Sequence, residues 1–353
     1  MLHRPHDNLA VMAVEPWPLR PTEARVRVTA TGLCHSDVHR VTGAIPAEFP
    51  VILGHEACGV VLEVGSQVTG LSVGDRVVAS ANPECGRCWF CINGQPNLCE
   101  TIGAMRARPG ARGPGGETIN LMAGLGTFRE EMNVDETMLV AVQTDLPDEQ
   151  LALLGCAITT GVGAVLNTAA VTPGATVAVI GCGGVGLACV QGNRLAGAAR
   201  IIAIDPVGSK RDRAAGFGAT DVVDPRADDP VQAVRDLTEG RGVDYAFEVV
   251  GSAATVSQAR AMTRRGGTTV LIGAPDKEEL VTFNAWDLHT EGRILGCSNG
   301  SCHVRRDIPR FIRLAETGHL DLGALVSKRI QLEDLNSAIA AMAAGDVVRS
   351  VVY

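Results

Sequence analysis

The sequence predicts a two-domain α/β chain, a doubly wound parallel sheet accompanied by a small β-barrel, from three observations. A glycine-rich loop, Gly181-Cys182-Gly183-Gly184-Val185-Gly186, lies between an apolar run and a helical pattern. Five further strand-like segments follow it at helix-sized intervals. Ahead of it, VILGHEACGVVLEVGSQVTGLSVGDRVV from Val51 alternates β-branched residues with glycines, as short strands broken by tight turns do. The 353 residues exceed one ordinary core. With 46% hydrophobic and 20% charged residues, the chain can bury enough apolar surface to fold.

The N-terminal MLHRPHDNLAVMAVEPWPLRP carries charges and prolines where a secretory signal needs an apolar run. No stretch approaches the roughly eighteen apolar residues of a spanning helix, so no membrane partner is expected. A net charge of −8 and a pI near 5.5 exclude a polyanion-binding surface, and nucleic acid with it. These features read as a cytoplasmic protein, in which eleven cysteines are thiols and metal ligands rather than a disulfide framework.

GLCHSDVHRVTG (32–43), FPVILGHEACG from Phe49, and Cys156 in LLGCAITTG supply Cys34, His55, Glu56 and Cys156. Two sulfurs and an imidazole would leave a fourth metal position open for water or substrate. Spacing alone leaves a buried cysteine and a core histidine as alternatives. The next cluster is sharper. CGRCWFCINGQPNLC places Cys85, Cys88, Cys91 and Cys99 in fifteen residues, with Gly86 and Gly94 loosening the backbone. Four thiolates in such a lobe predict a closed, structural zinc.

From Thr172 the pattern becomes strand Thr176–Ile180, glycine loop, helix to about Ala196, strand Ile201–Ile204 and Asp205. Gly181, Gly183 and Gly186 form GxGxxG at a strand-to-helix junction. They permit the tight turn, the approach of a pyrophosphate and close helix packing, while the helix N-terminus favours phosphate. Asp205 would accept the adenosine-ribose hydroxyls and repel a 2′-phosphate, which favours NAD. Lys210 either supports the same ribose or is a solvated charge at a helix start. ATDVVD, VDYAFEVV, GTTVLIG and RILGC complete six strands. The tail, from Leu332, reads as an amphipathic helix and a closing strand.

GLCHSDVH, GHEACGVV, the four-cysteine lobe, LGCAITTG, VAVIGCGGVG and AIDP occur in that order over nearly the whole chain. In this combination the chain resembles the zinc-dependent medium-chain alcohol dehydrogenases. It looks closest to the branch of thiol-dependent formaldehyde dehydrogenases and their bacterial alcohol-oxidising relatives. The resemblance implies a GroES-like β-barrel catalytic domain from residues 1–157 and 299–353, with a Rossmann NAD domain at 158–298 inserted. It implies two zinc ions per subunit: one catalytic, on Cys34, His55 and Cys156, and one structural, in the lobe. Glu56 would be a carboxylate near the catalytic metal, and Asp37 would orient His55. Ser36 would contact the substrate oxygen, and His39 would end a proton relay. Gly184 belongs to the phosphate loop; Thr160 and Val185 would line the nicotinamide; His35 and Arg349 would reach the pyrophosphate. The bland alternatives are exposed loop histidines at 35 and 39 and a capping serine at 36.

Where the family commonly has an aromatic residue facing substrate, this chain has Ala81, which would widen the pocket toward aromatic or medium-chain primary alcohols and their aldehydes. The 101–127 loop has the length found in dimeric members, so a homodimer is expected. That loop lacks the familiar glutathione-recognising pattern; oxidation of a formaldehyde–thiol adduct, with glutathione or mycothiol, is the alternative. Its Arg106, Arg108 and Arg112 read as solvated charges, the other reading being contact with an acidic substrate. A zinc-bearing binding module without turnover would account for the lobe but not for the dinucleotide fingerprint.

Overall fold

The computed structural model describes residues 1–276, 278–345 and 347–353. They divide into two compact units, Met1–Cys156 with His303–Tyr353, and Ala157–Cys302. The second change-over lies four residues beyond the expected 298/299. The turn Asn299–Ser301 packs on the helix Ala157–Gly163, and the Cys302 thiol donates to the Thr159 carbonyl at 3.2 Å.

The first segment contributes β1 (Glu23–Gly32), α1 (His35–Val41), β2 (Glu56–Val64), β3 (Arg76–Ala79), β4 (Glu131–Asp135) and β5 (Leu139–Ala141). In β1 the period-two pattern turns Ala24 and Val26 inward and Arg25 and Arg27 outward. β1 pairs antiparallel with β2 along its length, and its other edge takes β4 opposite Glu23–Arg27. Val26, Ala57, Val61, Val77, Leu125 and Met132 fill the core of this sheet.

The second unit contains β6 (Thr176–Ile180), α2 (Gly184–Leu195), β7 (Arg200–Ile204), β8 (Asp221–Val223), β9 (Val243–Glu248), β10 (Thr263–Leu271) and β11 (Arg293–Gly296). Their order is β8-β7-β6-β9-β10-β11, and every pairing is parallel. The order reverses between β6 and β9, the place where a doubly wound sheet opens a crevice. Ala178, Ile180, Ile202, Ile204 and Ala246 are buried on one face and Val177, Val179, Ile201 and Ala203 on the other, as parallel strands require.

The chain then returns through α3 (Val304–Glu316), β12 (Lys328–Ile330), α4 (Leu335–Ala344) and β13 (Ser350–Val352). β13 pairs antiparallel with the end of β1, Val351 opposite Gly32, completing the order β12-β13-β1-β2-β3-β5. Val38 of α1 packs with Leu33, Leu335, Ile339 and Met342, so the returning helix anchors the α1 segment. Among the described residues no single helix is long and apolar enough to cross a membrane.

Arg106 and Arg108 of the 101–127 loop are not free in solvent, a correction to the sequence reading, whereas Arg112 is exposed. Arg106 donates from Nε to the Ala81 carbonyl at 2.6 Å and from Nη2 to Asn82 Oδ1 at 2.9 Å. Arg108 is 3% exposed and pairs at 3.2 Å with Glu23, itself 2% exposed. Arg112 lies over the Trp17 ring, 4.2 Å from its centroid. Arg106 and Arg108 pin the loop to the sheet, because a guanidinium has donors enough to satisfy carbonyls and a carboxylate at once. Arg108→Met should strand the Glu23 carboxylate and lower stability by about 3 kcal/mol. Arg112→Ala should cost about 1 kcal/mol or less. Urea unfolding midpoints test both; equal shifts would remove Arg108 from its role as the loop's main pin.

Candidate functional site

The loop between β1 and α1 begins the site. Cys34 is the N-cap of α1 with extended backbone (φ −114°, ψ 158°), and Asp37, three residues on, returns its carboxylate to the Cys34 N–H at 2.9 Å. This is a capping box with cysteine in the serine position. The other Asp37 oxygen accepts the Gly54 N–H at 2.9 Å and faces His55 Nδ1 at 3.7 Å. One buried carboxylate therefore joins the segments that carry the thiol and the imidazole. Cys156 enters from the turn Leu153–Gly155. A Cβ at Gly155 would stand 2.5 Å from the Ala79 carbonyl oxygen, so only glycine lets that turn lie against β3.

The result is a buried cluster in which Cys34, His55, Glu56 and Cys156 hold their ligand atoms within 4.8 Å of one another. Glu56 is fully buried, and its Oε1 lies 3.0 Å from Arg349 Nη1, yet neither oxygen makes a well-aligned hydrogen bond. Arg349, expected on a cofactor phosphate, is 3% exposed and also donates to the Leu33 carbonyl at 2.9 Å. No sequence spacing links residue 349 to residue 56; β13 beside β1 does.

The electrostatics follow from crowding. The hydrogen bond from Cys156 holds the Cys34 thiol well below its ordinary range against the opposing effect of burial, with Arg349 and His55 assisting. Cys156 is held well above the ordinary range, first by that same hydrogen bond and then by burial. Burial opposes protonation of His55, but Asp37 and Cys34 outweigh it and raise its basicity. Glu56 is pushed up to about 7 by burial, against the pull of Arg349. Two thiols, an imidazole and an incompletely bonded carboxylate form a soft-to-borderline donor set that fits zinc, whose binding would displace the shared protons.

The second cluster lies in the lobe. Cys85 and Cys91 sulfurs are 4.0 Å apart, Cys88 and Cys99 3.8 Å. These are too long for disulfides and match the edge, about 3.8 Å, of a tetrahedron of sulfurs bound to zinc at about 2.3 Å. The backbone N–H groups of Arg87 and Cys88 point at Cys85 Sγ at 3.5 and 3.3 Å, and Cys85 N–H points at Cys99 Sγ at 3.4 Å. Those N–H donors help to lower the Cys85 thiol to about 6, while burial and the neighbouring thiols raise Cys91 to about 12.

On α1, Ser36 Oγ lies 3.8 Å from Cys34 Sγ, and the His35 and His39 rings are 6.4 Å apart, one turn along the same face. His35 is exposed and His39 half-buried. Ala81 follows β3, half-buried, its carbonyl taken by Arg106. In the second unit Gly181, Gly183 and Val185 are half-buried while Gly184 and Gly186 are buried. A Cβ on Gly186 would lie 1.8 Å from the Gly181 carbonyl oxygen, the close helix–strand approach the fingerprint requires. Asp205, 5% exposed, accepts N–H groups from Cys182 and Val207, each at 2.8 Å. Thr160 Oγ1 donates to Asn299 Oδ1 at 3.4 Å, and Lys210 is half-buried in the first turn of the helix Gly208–Gly216.

Asp37→Asn keeps the size but turns an amide NH₂ toward one of two backbone donors. The variant should hold zinc at the Cys34 cluster at least about tenfold more weakly, while the lobe keeps its own. Zinc content under chelator competition measures this, and unchanged retention at both sites would refute the role given to Asp37.

The GroES-like domain model of alcohol dehydrogenases matches residues 20–148, and the zinc-binding dehydrogenase model matches residues 184–317. S-(hydroxymethyl)glutathione dehydrogenase of Synechocystis sp. is 37% identical over 355 residues, covering 98% of this chain and 96% of that protein. Benzyl alcohol dehydrogenase of Acinetobacter calcoaceticus superposes with a TM-score of 0.92 at 30% identity, covering 99% and 97%. A zinc-binding dehydrogenase of Sinorhizobium meliloti, solved with NADP, gives 0.82 at 31% identity, covering 99% and 97%. With donor sets for two zinc ions and relatives that match along its whole length, this chain belongs to the zinc-dependent alcohol dehydrogenase family.

Proposed function

We propose that the chain is an NAD-dependent dehydrogenase that oxidises primary alcohols, aromatic or medium-chain, to aldehydes and catalyses the reverse reduction. The observation that carries the reading is the buried Cys34–His55–Cys156 set, accompanied by a second unit with a complete dinucleotide fingerprint. When bound, zinc supplies Lewis acidity and NAD accepts the hydride.

Cys34, His55 and Cys156 would hold the catalytic metal, and Cys85, Cys88, Cys91 and Cys99 the structural one. Glu56 is balanced by Arg349 rather than committed to the metal, which supports three permanent ligands and a free fourth position. Ser36 would take the proton from the substrate hydroxyl, and His39, three residues along the same helix, would pass it to solvent. Asp37 fixes the orientation of His55. Gly181, Gly183, Gly184 and Gly186 would bind the pyrophosphate, with His35 as a basic neighbour. Arg349 would assist there only from a position already shared with Glu56. Thr160 and Val185 would flank the nicotinamide, Asp205 and Lys210 the adenosine ribose. Preference for NAD is supported by the Asp205 carboxylate, locked by two N–H donors where a 2′-phosphate would be repelled.

The small side chain of Ala81, which would widen the pocket, supports aromatic substrates, as does the benzyl alcohol dehydrogenase neighbour. The name of the Synechocystis relative favours a second reading, oxidation of a formaldehyde–thiol adduct. A cytoplasmic homodimer is the accompanying proposal. It is supported by six of the eleven cysteines standing in metal sets, which suits a reducing compartment, and by the long 101–127 loop.

NADH formation by zinc-replete protein should appear with benzyl, cinnamyl and medium-chain alcohols without any thiol. Turnover restricted to formaldehyde plus a thiol would replace this reading by the second. Cys34→Ala should lose at least about a hundredfold of turnover, whereas Cys88→Ala should chiefly lower the unfolding midpoint. Full activity in Cys34→Ala would sink the metal assignment.

A further inference from the structure

Asp205 and Asp224 follow the ends of neighbouring strands in the same way. Ile204 closes β7 and Val223 closes β8; the two are paired in register, and an Asp-Pro step follows each. The two acids therefore stand side by side, their backbones about one strand spacing of 4.8 Å apart. They lie at the carboxyl ends of the strands, where an open α/β sheet takes its ligand. Their partners differ. Asp205 directs both oxygens to backbone N–H groups, those of Cys182 and Val207. Asp224 meets two guanidinium groups. Its Oδ2 lies 2.9 Å from Arg211 Nη2 and 3.1 Å from Arg226 Nη2, while Oδ1 accepts from Arg226 Nε at 3.2 Å and from the Arg226 N–H at 3.0 Å. The Arg226 hydrogen bonds hold the Asp224 carboxyl down at about 2, with the Arg211 charge assisting, so it stays ionised at neutral pH.

The arginines held in this way face the acid expected on the adenosine ribose. Arg211, in the first turn of the helix Gly208–Gly216, donates from Nη1 to the Asp205 carbonyl at 2.6 Å, and its side chain is 18% exposed. Arg226 is stabilised in its charged form by Asp205 as well as by Asp224. Lys210 and Arg211 both act electrostatically on Cys182, in the glycine loop. Lys210, Arg211 and Arg226 are thus three cations at this corner against two carboxylates. The repulsion that Asp205 exerts on a 2′-phosphate can be offset by guanidinium groups so close to it, since a planar fork binds phosphate as readily as carboxylate. What keeps both forks occupied is Asp224.

We propose that Asp224 is a positioning residue for cofactor choice: by holding Arg211 and Arg226, it withholds from a 2′-phosphate the guanidinium groups that would otherwise bind it beside Asp205. The inference rests on the dehydrogenase reading and gives its NAD preference a second determinant. Removal of the Asp224 charge leaves three cations against one carboxylate and frees two arginines, one of them bonded to the backbone of the ribose acid itself.

The test is equilibrium binding of NADPH and NADH to zinc-replete protein, read by the fluorescence of the bound dihydronicotinamide. The wild type should bind NADH at least about tenfold more tightly than NADPH. Asp224→Asn should narrow that preference by about ten- to a hundredfold, through a lower Kd for NADPH with the Kd for NADH nearly unchanged. Arg211→Gln and Arg226→Gln, added to Asp224→Asn, should restore the wild-type preference. Asp221→Asn removes the same charge from the other end of β8, where Asp221 pairs with Arg200 at 3.2 Å, and should keep the wild-type ratio. An unchanged ratio in Asp224→Asn, an equal gain in Asp221→Asn, or a gain that survives loss of both arginines overturns the proposal. A retained unfolding midpoint shows that Asp224→Asn is folded, and Asp224→Ser, which removes the same charge, is held to the same ratio if it is not. A wild type that binds NADPH more tightly than NADH overturns the proposal and leaves the dehydrogenase reading standing. A wild type that binds neither dinucleotide overturns both.

Discussion

The Asp37 carboxylate, fully buried, accepts the N–H of Cys34 with one oxygen and the N–H of Gly54 with the other, both at 2.9 Å. These bonds tie the start of α1 to the segment that carries His55 and Glu56, and they face the imidazole with a negative charge. A thiol and an imidazole from separate segments can share an ion only if their backbones are held at fixed separation. Propensity offers nothing of that kind for two loops. A charge-assisted pair of N–H bonds in a dry environment does. Much of the site's geometry follows from it, since Ser36, His39 and Arg40 are carried by the helix this carboxylate caps.

A second buried charge pair closes the cluster from the far end of the chain. Arg349 meets Glu56 where β13 lies along β1, so the last strand is part of the metal site as well as of the sheet. Alone, a buried ion pair is a weak source of stability, because desolvation offsets its attraction. Here its effect is electrostatic. The arginine favours a thiolate at Cys34 and offsets the Glu56 carboxylate, so that Cys34, His55 and Cys156 would hold a dication without it. The lobe uses another device, N–H groups aimed at sulfur, and needs no buried cation.

The 101–127 loop shows how charge can be structural. Its arginines reach carbonyls, a buried carboxylate and an indole face, and so tie the segment to its surroundings.

What the sequence determined by itself was local. The glycine fingerprint, the six parallel strands and the four-thiol lobe are short-range rules of spacing and backbone freedom, and β6 occupies the very residues 176–180 that the apolar run predicts. The candidate ligands Cys34, His55 and Cys156 were picked out by type but joined into one set only through resemblance, because over a hundred residues separate the first from the last. Tertiary structure decided what depends on distance through space. It brought Cys156 to β3 through the close approach at Gly155, and Arg349 to Glu56 through the β13–β1 pairing. It also turned Arg106 and Arg108 of the loop inward. Charged side chains carry no periodic signal of their fate; whether a guanidinium meets water, a carbonyl or a carboxylate depends on partners that only the folded chain assembles.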